Sequence, residues 1–179
     1  MTGLDLPPIE DLDVDALASL PSGYRYELHA GNLVVMTPST YWHKVMARRL
    51  LLMLYSAGLE VLPDTGIRGD GSRDSRLPDL GVVSDLPADV ADFSNLPSSA
   101  FRMVIEIVSE NSPNGEYTEK ARWYADRGIP EYWIVDRTPD RVHDDAQVHL
   151  HRLTLSGDRP AYARERSVRL SELEAEYRR

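Results

Sequence analysis

At 179 residues, with 42% hydrophobic and 27% charged residues, the chain has the size and make-up of one domain with a full core. It has no cysteine, which excludes disulfides and thiolate metal sites. A net charge of −9 argues against a surface built broadly for nucleic acid and leaves room only for a local basic patch.

No apolar run approaches the roughly 20 residues of a membrane helix. The opening MTGLDLPPIEDLDVD lacks the basic and apolar parts of a signal peptide, so the expected compartment is the cytoplasm. Residues 1–23 read as an arm with one short helix over Asp13 to Leu20, ended by Pro21-Ser22-Gly23. Residues 24–179 read as a single domain. Tyr24 to His29 and Leu33 to Met36 flank the turn Ala30-Gly31-Asn32 and predict a β-hairpin. Glu27 lies mid-strand, where an exposed or cross-strand-paired carboxylate is the ordinary reading.

Thr37-Pro38-Ser39-Thr40 supplies a helix start. The helix is expected from Tyr41 to Ala57, with Val45, Leu50, Leu52, Met53 and Leu54 as its apolar positions and Gly58 as its stop. His43 falls in its first turn, an ordinary place for a surface or locally bonded histidine. Leu59 to Leu62 and Gly66 to Arg68 are short strand candidates. The polar run RGDGSRDSR carries Arg68, Arg73 and Arg76 and has the look of a solvated hairpin tip. It leads into Leu77 to Val83, a strand with Pro78 and Asp79 near its start, where proline is tolerated. Ser84 to Ala100 is a connector without a motif.

The chain is organised around Phe101 to Asp136. Phe101 to Val108 is an apolar strand, Glu116 to Arg127 has helical spacing and stops at Gly128, and Glu131 to Asp136 is a second strand. Such a unit is a βαβ crossover with parallel strands. Beyond it come a polar turn over Thr138 to Ala146 and a hairpin of Gln147 to Leu155 with Ala161 to Arg164. A final short helix is expected with a capping box at Ser171 to Glu174. His149 and His151 share one strand face, but with no third ligand nearby the face reads as exposed.

One acid interrupts the apolar strand: Glu106. A buried carboxylate must be paired, hold a metal or open onto solvent. Asp79 follows Pro78 on one strand, Glu106 sits on the next long strand, and Lys120 lies on the helix after it. Two carboxylates on neighbouring strands suit one hard divalent cation. A lysine beside them can stabilise charge on a phosphate or support a water. Lys120 shares a helix face with Trp123 and Tyr124, the residues expected to meet the sheet. It is one of only two lysines, Lys44 being the other, among 20 basic residues.

Pro78-Asp79 followed by Glu106-Ile107-Val108 resembles the PD-(D/E)XK nuclease signature, except that Val108 stands where the motif ends in Lys. The phrases YELHAGNLVVMTPSTYWH, LPDLGVV, VIEIVS and EYTEKARWYADRGIPEYWIVD resemble the Uma-two family of restriction-endonuclease-like proteins, over about Tyr24 to Asp136. The resemblance implies an α/β fold with a mixed central β-sheet and flanking helices. It implies a DNA endonuclease dependent on Mg²⁺ or Mn²⁺. Asp79 and Glu106 would hold the metal, Lys120 would stand in for the missing motif lysine, and Glu27 and His43 would be accessory. Glu116 occupies a place where that family more often has Asp. Arg68, Arg73 and Arg76 are candidate phosphate contacts, and a homodimer is expected by analogy. The rival expectation is a nuclease fold kept as a binding or regulatory module, which the acidic charge and Val108 favour.

Overall fold

Strand pairing sorts the chain into a central six-stranded sheet and a smaller five-stranded one. The computed structural model describes residues 6–36, 38–86, 88, 90, 93–109 and 115–178. The first five arm residues, Thr37 of the expected helix start, part of the 84–100 connector and residues 110–114 lie outside them. In chain order the elements are β1 (Arg25–His29), β2 (Asn32–Met36), α1 (Tyr41–Ser56), β3 (Glu60–Pro63), β4 (Gly66–Arg68), β5 (Ser75–Arg76) and β6 (Leu80–Val83). There follow β7 (Asn95–Pro97), β8 (Phe101–Ile107), α2 (Glu119–Asp126), β9 (Glu131–Asp136), β10 (Gln147–Ser156), β11 (Arg159–Arg169) and α3 (Leu170–Tyr177).

The βαβ unit forms as expected. β8 and β9 run parallel, with Met103 beside Glu131 and Ile107 beside Val135, and α2 crosses between them. The central sheet has the order β11-β10-β9-β8-β6-β3, and every other neighbouring pair in it is antiparallel. It is therefore mixed, with β8 in its interior. Both faces of β8 are covered, which is why it reads as a nearly continuous apolar run. Met103, Ile105 and Ile107 join Trp42, Met46 and Leu50 of α1 in one core, while Val104 joins Trp123 and Tyr124 of α2 in another. Glu106 alternates with Ile105 and Ile107 and so turns to the α2 side.

Helix α1 buries Trp42, Met46, Leu50, Met53 and Leu54 at helical spacing. Thr40 caps it by accepting from the His43 N–H. Leu52, expected among the apolar positions, is more than half exposed. Helix α2 is shorter than expected, because Gly115–Tyr117 forms a separate 3₁₀ turn. Gly128 ends the helical segment with φ +72°, a conformation few other residues adopt cheaply.

The structure adds a second sheet, in the order β2-β1-β5-β4-β7. Its members are the predicted hairpin, the Gly66–Arg68 strand, two residues of the arginine-bearing loop and three of the connector. The expected helix in the arm is only a 3₁₀ turn, Ala16–Ser19. Its neighbours Leu12, Val14, Leu17 and Leu20 pack on Leu28 of β1. The expected capping box is also corrected. Helix α3 starts at Leu170, and Ser171 lies inside it, donating its hydroxyl to Asp145 at 2.7 Å rather than capping.

Candidate active site

The register of β6 against β8 places Leu80 beside Ile105, so Asp79, one residue before β6, stands next to Glu106. A direct bond ties the two strand ends: the Ile107 N–H donates to Asp79 Oδ2 at 2.8 Å. The acids then take different partners. Glu106 faces α2, where Oε1 accepts from Lys120 Nζ at 3.0 Å and from the Tyr124 hydroxyl at 2.6 Å. Asp79 faces α1 and β1. Its Oδ2 lies 3.1 Å from His43 Nε2, and its Oδ1 accepts from Arg25 Nη1 at 3.1 Å.

Glu27 brings the second sheet into the site. Its Oε1 accepts from the Leu77 N–H at 2.8 Å and lies 3.7 Å from Lys120 Nζ, while its Oε2 is 2.6 Å from His29 Nε2. Asp79, Glu106, Lys120, Glu27 and His43 are thus gathered at one end of the central sheet, against β1. All but Lys120 are buried, and the lysine is nearly so. Glu106 and Glu27 share the one ammonium, and Asp79 stands beside Glu106 with Arg25 as its own cation.

That crowding sets the proton affinities. Burial pushes the Glu106 carboxyl up, Asp79 and Glu27 add like-charge repulsion, and Lys120 and Tyr124 oppose only part of this, leaving it at about 7. Burial acts on Asp79 in the same sense, but His43, Arg25 and the Ile107 N–H outweigh it and hold Asp79 below the usual carboxylate range. Glu27 is likewise held down against burial, by His29, Lys120 and the Leu77 N–H. Burial works against the Lys120 ammonium, yet Glu106 and Glu27 push its pKa up, so it is a fixed cation at neutral pH.

Among the described residues no group of three or more His, Asp or Glu side chains is arranged to hold a metal by itself. The residues that could hold an ion are a pair of carboxylates, Asp79 and Glu106, with backbone oxygen near Ile107. Both of these hydrogen bonds to Glu106 are accepted by Oε1. Two carboxylate oxygens fit a Mg²⁺-like ion, which keeps several of its waters. A divalent ion there would also relieve the like-charge repulsion that adds to burial in raising the proton affinity of Glu106.

The three loop arginines all have partners within the chain, which corrects the picture of a solvated tip. Arg76 is buried, donates to the Leu28 and Ser75 carbonyls and to Asp74, and lies 5.0 Å from the Trp123 ring. Arg73 donates to the carbonyls of Ile9 and Glu10 and fastens the arm. Arg68 pairs with Asp15. Arg127 stacks on Trp123 at 3.7 Å and donates to Asp74, so this cluster locks α2 to the second sheet. Glu116 is buried in its 3₁₀ turn, and its carbonyl accepts from the Tyr132 hydroxyl. His151 Nδ1 faces the carbonyls of Tyr132 and His149, while His149 Nδ1 meets the Ser167 hydroxyl.

Sequence reasoning missed Arg25, His29 and Tyr124 as neighbours of the acids. All three carried a signal, His29 being two residues from Glu27 on the same strand face. Arg25 and Glu27 alternate on β1 and so share a face, and Tyr124 is four residues from Lys120 on one helix face.

A mixed central sheet with flanking helices is the restriction-endonuclease-like α/β fold that the sequence resemblance implied. The model of the Uma2 family, described as "Putative restriction endonuclease", matches residues 12–176, and the chain belongs to that family. Among solved structures it is similar to the crystal structure of "a putative nuclease belonging to DUF820" from Anabaena variabilis. The TM-score is 0.64 and the identity 14%, over 93% of this chain and 99% of that one, a likeness of fold. A search of curated proteins finds no match. No helix among the described residues is long and apolar enough to cross a membrane.

Proposed function

We propose that the protein is a DNA endonuclease that uses Mg²⁺ or Mn²⁺, with Asp79 and Glu106 as the metal-holding carboxylates. The observation that carries this reading is Lys120 Nζ, 3.0 Å from Glu106 Oε1, arriving from α2 where the usual motif position is Val108. Val108 is half-buried against the α2-side core, so that position supplies no charge. A cation on α2 supplies it instead.

Hydrolysis adds a water oxygen to phosphorus and breaks one P–O ester bond, with negative charge building on the phosphoryl oxygens. A bound divalent ion would supply Lewis acidity and a water of lowered pKa. Lys120, held charged, offers a fixed cation to the phosphoryl oxygens. Its raised pKa makes it a stabiliser of charge and unsuited to act as a base. Tyr124 and Glu27 fix the positions of Glu106 and Lys120. His43 and Arg25 keep Asp79 ionised and aimed at the strand ends. A homodimer would present two such sites to the substrate, and the cytoplasm is the compartment that suits a DNA substrate.

One observation favours the second reading, a binding module without catalysis. Both oxygens of Asp79 already have protein partners, Arg25 on one and His43 with the Ile107 N–H on the other. Calorimetry with Mn²⁺, alongside cleavage of plasmid and single-stranded DNA by wild type, Asp79→Ala and Lys120→Met, tests the choice. Metal binding with cleavage that both variants lose supports the enzyme. Absence of metal binding and of cleavage supports the module.

A further inference from the structure

Beside Asp79 a cavity of about 450 Å³ opens between α1 and the β1–β2 hairpin. Such a volume is within the range of about 300–1,000 Å³ typical of sites for small organic molecules. Its α1 wall is a single stripe in which His43, Lys44, Ala47, Arg48, Leu51 and Leu52 all face the space. The stripe begins at His43, the residue that touches Asp79, so cavity and acid pair are continuous.

The charges around it are uneven. Arg25, Lys44 and Arg48 line it, against Asp64 and Asp79. Arg25 is already engaged with both carboxylates, at 2.8 Å from Asp64 and 3.1 Å from Asp79. Lys44 and Arg48 are exposed and form no ion pair with a described residue. In a chain of net charge −9, two uncommitted cations one helical turn apart, beside a phosphodiesterase-like site, are placed to meet an anion. Met36, Leu51 and Leu52 add an aliphatic wall to a lining that also holds the Ser39 hydroxyl. That wall explains why Leu52 breaks the amphipathic pattern of α1 and lies more than half exposed.

Resting on the nuclease reading, we infer that this cleft seats an unpaired nucleotide of the substrate strand next to the bond to be cut, with Lys44 and Arg48 on its phosphates. The base lies against the aliphatic wall. The cleft has room for one nucleotide, whereas a base inside a duplex must first leave its stack. That cost is least in a single strand or at a mismatch. The substrate class is therefore nucleic acid with unpaired nucleotides, in preference to continuous duplex. Aliphatic side chains offer no hydrogen bonds to a base edge, so this contact is tolerant of sequence.

The test is a binding measurement in EDTA, independent of cleavage. A fluorescent ten-nucleotide single strand and a blunt duplex of the same sequence are titrated by anisotropy at several salt concentrations. Wild type should bind the single strand at least about tenfold more tightly than the duplex. Lys44→Ala with Arg48→Ala should weaken single-strand binding by roughly tenfold and lower the slope of log K against log salt by about 1.4, as expected for two lost phosphate contacts. Ala47→Trp, which fills the cleft without altering charge, should weaken binding and leave the slope unchanged. Circular dichroism checks that the variants fold. Equal affinity for the two substrates, or an unchanged slope in the double variant, overturns the inference. Because no metal is present, failure of the metal site shows in calorimetry and cleavage while this result stands apart from it.

Discussion

Asp79 and Glu106 stand side by side at neighbouring strand ends, yet the two halves of the site treat their protons in opposite ways. On the β6 side, Asp79 meets a guanidinium, an imidazole and a backbone N–H, and is held ionised. On the β8 side, Glu106 is more deeply enclosed, shares its one cation with Glu27, and is pushed up to about 7. Residue type and location along a strand are alike in the two cases. The difference comes from what the flanking helices and the second sheet bring up: His43 from α1 and Arg25 from β1 on one side, Lys120 and Tyr124 from α2 on the other. One acid stays ionised through the neutral range, and the other responds to pH within it.

The comparison breaks most sharply at Asp79. Asp79→Asn keeps the shape and the acceptor for the Ile107 N–H but removes the permanent charge. Loss of several kcal/mol of metal-linked stabilisation predicts a fall in cleavage of about 10³-fold or more, read from initial rates with Mn²⁺. Next comes Lys120→Met, which keeps the stem packed beside Trp123 and Tyr124. Cleavage should fall about 10²–10³-fold. Without Lys120 the Glu106 carboxyl keeps its proton to higher pH, so metal affinity should be compared where both proteins have it ionised, at roughly pH 9.5, and should change little. A parallel loss of metal affinity there would make Lys120 a support for the metal site instead of a stabiliser of the phosphate.

The pH dependence sharpens the contrast between the halves. Below about 7 a metal ion must displace the Glu106 proton, so affinity should fall about tenfold per pH unit on that side and level off above it. Asp79 adds no such dependence over the same range. Calorimetry in buffers of different ionisation enthalpy should detect close to one proton released at pH 6 and little at pH 8.5. The smallest effect is on stability. The folded pKa of Glu106 lies above its unfolded value of 4.5, so its contribution is fully present below pH 4.5 and is lost as pH rises to about 7. Metal-free Glu106→Gln lacks that titration, and its Tm should decline less than that of wild type between pH 5 and 7.

The parts of the fold legible in the sequence were those with long, regular patterns. β8, α2 and β9 carry enough apolar residues, and a clear glycine stop, to announce a crossover unit. Glu106 stood out because an acid inside such a strand requires a partner. The second sheet was hidden because Ser75–Arg76 and Asn95–Pro97 are too short for alternation to register. Direction was hidden as well. Arg76 belongs to a run that reads as a polar tip, but its guanidinium turns under Trp123. Its replacement by Ala would remove buried donors from the Leu28 carbonyl and from Asp74 Oδ1 and cost folding stability. The partners of the acids, Arg25 and Tyr124, come from elements far apart in the chain, and no local pattern links them to Asp79 or Glu106.

The central claim is that Asp79, Glu106 and Lys120 form one metal-dependent phosphodiester-cleaving site, with the lysine supplied from α2. The most direct test is a single-turnover rate series with Mn²⁺ at pH 8.5 on wild type, Lys120→Met, and Lys120→Met combined with Val108→Lys, using one single-stranded substrate. The account predicts cleavage by wild type, a loss of about 10²–10³-fold in Lys120→Met, and partial recovery when the lysine is returned through β8. Equal rates in wild type and Lys120→Met would contradict it.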